Sequence, residues 1–172
     1  MLLPNADQGI LDRRAEIVSA LKSMLPAGCV IDDDKSMSAF DTDGLSAYRN
    51  QPLVVVLPET TQQVADVMRW CRDNAVKIVP RGAGTSLSGG AIPLSDGVLL
   101  GLGKFNKITE IDYENRAVTA QPGVTNLGIT QAVQDEGFYY APDPSSQIAC
   151  SIGGNIAENS GGGHCLKYGL TT

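Results

Sequence analysis

Between residues 53 and 90 the chain spells a strand, a helix, a second strand and then a long glycine loop. Residues 53–57 carry three consecutive valines and stop at Pro58, the pattern of a strand buried on both faces. Thr60-Thr-Gln-Gln63 reads as a capping box, with Thr60 as the cap and Gln63 reaching back. The helix it opens has Val64, Val67, Met68 and Cys71 as its apolar face. Residues 76–79 form the second strand, and a crossover of this length permits parallel pairing. The loop 80–90 then leaves the strand end at which open α/β sheets tend to bind ligands.

The flanks follow the same rules. Residues 8–25 predict one amphipathic helix, with Ile10, the stem of Arg14, Ile17, Leu21 and Met24 or Leu25 on its stripe, stopped by Pro26-Ala-Gly28. Residues 29–31 form a short strand, and the acidic run at 32–34 is a solvated turn without calcium-loop spacing. An irregular connection fills residues 41–52. Residues 97–102 form an apolar strand, and 108–112 with 116–121 form a hairpin. Thr125 caps a helix to about Glu136, with Leu127, Ala132 and Val133 inward and Gly137 at its end. Residues 138–141 predict a short strand, and 142–172 a Gly, Ser, Asn and Pro rich stretch with few apolar anchors.

Composition narrows the function. A net charge of −6 argues against non-specific nucleic-acid binding, which depends on clustered Lys and Arg, so no nucleic-acid partner is expected. No apolar run approaches the roughly 20 residues of a membrane helix. No basic, apolar signal peptide opens the chain, so an intracellular protein is the expectation. The four cysteines contain no CxxC pair and read as small buried hydrophobes. A single His excludes a histidine-cluster metal site, and no metal site is expected. His164 itself reads as structural or cofactor-adjacent before catalytic. One of Tyr139 and Tyr140 should be core, and Trp70 should pack.

Seven glycines lie between Gly82 and Gly103 and six between Gly153 and Gly169, so two regions need backbone freedom or close approach. The first loop fails three common motifs by one residue each. Leu87 takes the third glycine place of the dinucleotide fingerprint, Gly90 replaces the P-loop lysine, and Ser88 replaces the last glycine of a nucleophile elbow. Its physics survives those failures. A run of Gly, Ala, Thr and Ser turns successive N–H groups inward as an anion nest suited to a diphosphate. Thr85, Ser86 and Ser88 add hydroxyls, while Arg81 either offsets phosphate charge or points to solvent.

Arg81-Gly-Ala-Gly-Thr-Ser-Leu-Ser-Gly-Gly90 resembles the pyrophosphate loop of the vanillyl-alcohol oxidase type of flavoenzymes, the PCMH-type FAD domain. The stretch 141–155, with Glu158-Asn-Ser-Gly-Gly162 and residues 164–169, is similar to the FAD-binding subunits of bacterial glycolate oxidases, as are residues 43–49 and 121–127. The resemblance implies an α+β, PCMH-type FAD-binding domain over residues 49–172, incomplete at its C-terminus, behind a helical N-terminal extension over residues 1–48. It also implies oxidation of a small 2-hydroxy acid, glycolate first, to the 2-oxo acid by hydride transfer to FAD. Partner subunits would include an iron–sulfur protein, and the complex would be cytoplasmic, peripheral to the inner membrane through those partners.

Carried over by position, Arg81, Gly82, Ala83, Gly84, Thr85, Ser86, Ser88, Gly89 and Gly90 would wrap the diphosphate. Pro144, Ser145 and Ser146 would line the flavin and ribityl region. Cys150, Ser151, Gly153, Gly154 and Asn155 would form a second wall, completed by Asn159, Gly161 and Gly162. Some members tether FAD through a His in the first loop; Thr85 and Ser86 stand there in this sequence, which implies non-covalent FAD. Gly163 is a departure where a branched apolar residue is expected. The residues that hold the substrate carboxylate and act as base belong to a cap beyond this length, so no catalytic residue is expected in the chain. The alternatives are a FAD-linked D-lactate or D-2-hydroxyglutarate dehydrogenase and, in a different class, an inactive nucleotide-binding fragment.

Overall fold

The computed structural model describes residues 4–170, which fall into two compact units, the first ending at Lys104 and the second beginning at Phe105. Residues 171 and 172, included in the domain expected over 49–172, lie outside the described residues.

The first unit is built on a four-stranded sheet in the order β1-β2-β4-β3, with β1 (Val30–Ile31), β2 (Val54–Val56), β3 (Lys77–Arg81) and β4 (Gly97–Gly101). β1 runs antiparallel to β2, and the other pairs are parallel, with Val54 opposite Val98 and Lys77 opposite Gly97. Strands buried on both faces need apolar residues at every position, and β2 and β4 supply them. Val54, Val56, Val98 and Leu100 meet Ile17 and Leu21 of α2 (Arg14–Met24) and Val67 and Cys71 of α4 (Thr61–Asp73). Val55 and Leu99 face the other way, onto Met37 with Ile31, Phe40 and Leu57 around it. Each buried side chain of this size contributes about 1.5–3 kcal/mol. Burial also pushes the Cys71 thiol up to about 11.

β2, α4 and β3 form the expected crossover unit. Thr60 Oγ1 accepts from the Gln63 amide, and Gln63 reaches back to the amide of Glu59, one residue before the cap. The buried face of α4 is Val67 and Cys71, with Val64 and Trp70 partly buried; Met68, expected inward, is exposed. The next connection is less ordinary. β3 and β4 are parallel neighbours, yet residues 82–96 between them contain no helix, so the glycine loop is itself the crossover.

Three expectations for the first 40 residues are corrected. The single helix is two, α1 (Gln8–Asp12) and α2, broken at Arg13, whose guanidinium binds Glu16 and the Asn74 carbonyl. Arg14 contributes more than its stem: its guanidinium donates to the carbonyls of Leu53 and Asp32. The acidic run starts a helix. Asp33 accepts from the Ser36 amide and caps α3 (Asp34–Met37), and a 3₁₀ turn, Ser38–Phe40, follows.

The second unit opens with the expected hairpin of β5 (Ile108–Asp112) and β6 (Ala117–Ala120), with a register shift between Ile108 and Glu110. Thr125 caps α5 (Asn126–Val133) through the Gly128 amide, a 3₁₀ turn continues to Glu136, and Gly137 ends it in the left-handed region. The buried residues of α5 are Asn126, Ile129 and Val133; Leu127 is half-buried and Ala132 is exposed, against expectation. Val124, Ile129 and Ile152 form the small core, with Tyr140 packed on it. Residues 138–141 form no strand, because the Tyr140 amide donates to Thr130 Oγ1 and the Phe138 amide to the Val133 carbonyl. The glycine-rich remainder holds two helices that periodicity did not reveal, α6 (Ile152–Glu158) and α7 (Cys165–Tyr168).

Candidate cofactor-binding site

In the first unit, Arg81 ends β3 and the chain turns at once into residues 82–90. Gly84 and Gly89 have φ of +74° and +83°, values an L side chain rarely adopts. Among the described residues, the amides of Gly82, Ala83, Gly84 and Thr85 donate to no protein group. Four consecutive unspent donors in a curled loop suit an anion. Further along, the Ser88 amide donates to Ser86 Oγ, and the Gly89 amide donates to Asp43 Oδ2 at 3.0 Å. Leu87, between the two serines, is exposed.

Arg81 does not point to solvent. It is 8% exposed, and Nη1 donates to the carbonyls of Thr42 at 2.7 Å and Ala91 at 3.0 Å. Its Cζ stands 5.9 Å from the centre of the Phe40 ring. Burial pulls the guanidinium below its ordinary value, and the carboxylates of Asp43 and Asp41 push it back up. The group stays charged, since an arginine starts so far above neutrality. A Cβ on Gly84 would collide with this guanidinium, so glycine is needed there for contact as well as for backbone conformation.

In the second unit, residues 144–150 coil tightly. The Gln147 amide donates to the Pro144 carbonyl, and the amides of Ala149 and Cys150 share the Ser146 carbonyl. Pro144 and Cys150 are buried and Ser145 is exposed. Ser151 precedes α6, and Gly153 packs so closely that a Cβ would stand 2.7 Å from Pro122 Cβ and 3.0 Å from its carbonyl oxygen. Gly154 is freer: a Cβ there would stand 3.3 Å from Ser151 Oγ. Asn159, at φ +49°, ends α6. Gly161 and Gly162 follow, and a Cβ on Gly162 would run into the Asp143 backbone. At Gly153 and Gly162 the collision that excludes a side chain is thus with this chain itself.

This unit gathers residues 143–151 and 155–164. His164 donates its amide to Asp143 Oδ1 at 3.0 Å, and its Nδ1 lies 2.6 Å from Asp143 Oδ2. The His164 amide, followed by its ring, holds the Asp143 carboxyl below its ordinary range against the opposing effect of burial. Tyr139, half-exposed, stands 5.7 Å from the His164 ring. Cys165 is half-buried, unlike the other three cysteines, and its Sγ accepts from the Gly162 amide.

Among the described residues, three buried polar atoms lack a protein partner: Asn126 Oδ1, Ser151 Oγ and Asn155 Nδ2. Ser151 stands at the N-cap of α6 and Asn155 lies within the helix. Unpaired buried donors and acceptors are costly, and they fit a polar group supplied from outside the chain. In the first unit taken by itself, the open amides of 82–85 are compatible with the phosphate of a cofactor.

Sequence reasoning missed Asp43, Gly44 and Asn126. The Asp43-Gly44 pair is a turn signal, but nothing local shows that its carboxylate reaches a loop 46 residues away.

A family model described as an FAD binding domain matches residues 52–172. The glycolate oxidase subunit GlcD of Escherichia coli strain K12 is 51% identical over 98% of this chain and 33% of its own length. A D-lactate dehydrogenase of Anaerostipes hadrus is 36% identical over 91% of this chain and 33% of its own. The chain therefore spans about a third of the length of these curated relatives. Among solved structures, an alkyldihydroxyacetonephosphate synthase aligns with a TM-score of 0.80 at 23% identity, covering 91% of this chain and 31% of that one. A p-cresol methylhydroxylase aligns at 0.76 and 22%, covering 93% and 32%. The α+β, PCMH-type fold is thus established, and FAD is the cofactor. The chain belongs to the FAD binding domain family.

Proposed function

We propose that this chain is part of the FAD-bearing subunit of a glycolate oxidase, which oxidises glycolate or a close 2-hydroxy acid to the 2-oxo acid. The observation that carries the reading is the 51% identity to GlcD over nearly the whole chain. When bound, FAD supplies the acceptor for the substrate hydride. The chain's own task is to hold and orient. Gly82, Ala83, Gly84 and Thr85 offer open amides to the diphosphate, while Ser86, Ser88, Gly89 and Gly90 continue the curl. Pro144, Ser145 and Ser146 line the flavin and ribityl region, and Cys150, Ser151, Gly153, Gly154, Asn155, Asn159, Gly161 and Gly162 form a second wall. Thr85 and Ser86 offer no nitrogen for a covalent tether, so FAD is held non-covalently.

Partner subunits, an iron–sulfur protein among them, take the electrons onward, and contact with the inner membrane runs through those partners. Among the described residues no helix is long and apolar enough to cross a membrane. The test is a visible flavin spectrum in the purified full-length subunit, with intact FAD released by acid and glycolate-dependent dye reduction. Protein that is colourless and silent in FAD titration calorimetry would leave an inactive nucleotide-binding fragment. The 36% identity to a D-lactate dehydrogenase supports a second reading, which preference for D-lactate over glycolate in the same assay would favour.

A further inference from the structure

Residues 42–45 precede the matched region at residue 52, yet they grip the glycine loop at several points. The Gly89 amide donates to Asp43 Oδ2, and the Gly44 amide donates to the Ser86 carbonyl at 2.8 Å. Arg81 closes the other side by donating to the Thr42 carbonyl. Asp43 is 6% exposed, and its second oxygen accepts from the Leu45 amide at 2.9 Å, which fixes the carboxylate from both ends. Gly44 lies so close that a Cβ would stand 2.7 Å from the Thr85 carbonyl oxygen and 3.0 Å from that of Ser86.

We propose that Asp43 is a positioning residue for diphosphate binding, clamping the loop at Gly89 and, through Gly44, at Ser86, so that the amides of 82–85 stay turned toward the anion. This inference rests on the flavoprotein reading. Asp43 touches no cofactor itself. A carboxylate in a phosphate loop would ordinarily repel the ligand, but the buried guanidinium of Arg81 offsets it, and the pair leaves the loop's amide dipoles to act. Anion nests lose affinity when their amides must be reorganised on binding, and a clamp set in advance removes that cost.

The test uses the full-length subunit stripped of flavin, with FAD titrated by calorimetry and inorganic pyrophosphate as competitor. Asp43→Asn keeps an acceptor for Leu45 but turns an amide group toward the Gly89 N–H. The expected result is an FAD Kd raised about tenfold and a pyrophosphate inhibition constant raised in the same proportion. Gly44→Ala removes no hydrogen bond but pushes on the Thr85 and Ser86 carbonyls; it should show the same paired loss, and it decides the matter if Asp43→Asn does not fold. Folded variants that bind FAD as the wild type does overturn the proposal. So does a loss of FAD affinity with pyrophosphate competition unchanged, because Asp43 would then act elsewhere. A wild-type protein that takes up no FAD overturns the flavoprotein reading and this inference with it.

Discussion

Arg81 serves its loop before it serves any phosphate. Both carbonyls it reaches lie in segments that flank the loop, and its plane backs Gly84 from beneath. Replacing it with methionine keeps much of the volume but strands two carbonyls and leaves Asp43 without its neighbour. Arg81→Met should therefore destabilise the first unit by about 3 kcal/mol, read as a shift in the urea midpoint with unchanged slope. Arg81→Lys, which can satisfy only part of that fork, should fall between the two. An unchanged midpoint in Arg81→Met would show that the two carbonyls find other partners. The residue's presence in the site was legible from the glycine pattern around it. Its burial was not, since a charge beside glycines reads the same whether it faces in or out. Only the fold brings Thr42 and Ala91 to it.

At the scale of elements, an ion pair joins the first residue of β3 to the residue just before β4. Lys77 Nζ lies 2.6 Å from Asp96 Oδ2, with Asp96 nearly buried, and the Asp7 amide donates to the same oxygen. Burial pushes the Asp96 carboxyl up, but Lys77 and the Asp7 amide together bring it below its ordinary value. A depressed folded-state value means stability that is present above the unfolded value, about 4, and lost as pH falls through the folded one. Stability should therefore drop below about pH 4 more steeply in the wild type than in Asp96→Asn, measured by urea unfolding across pH 3–6. Parallel profiles would show that the pair contributes nothing to the pH dependence. The elements visible beforehand were those whose signals are local: valine runs for β2, a capping box for α4, turn residues for the hairpin, Thr125 for α5. Those missed were set by contacts from afar. α6 contains a Gly-Gly pair with poor helix propensity, and it forms where the Ile152 amide meets the Val124 carbonyl and Gly153 sits on Pro122. The expected strand at 138–141 failed for the converse reason, since Thr130 takes the amide a ladder would need.

For the molecule as a whole, the chain accounts for about a third of the relatives' length. Residues 1–172 produced alone should give no glycolate-dependent dye reduction above background, while the full-length subunit does. Turnover by the short chain would place the catalytic groups within it, against the expectation that they lie in a cap. The crossover between β3 and β4 carries a last consequence. Returning along a five-residue strand requires about 16 Å, and the fifteen residues 82–96 could reach about 50 Å if extended. The surplus is what lets the backbone curl. Short deletions there would still let the two strands lie side by side, so a shortened variant would keep its sheet and yet have lost its grip on the nucleotide. In this architecture insertions and deletions at one loop can silence the cofactor seat without warning from the fold.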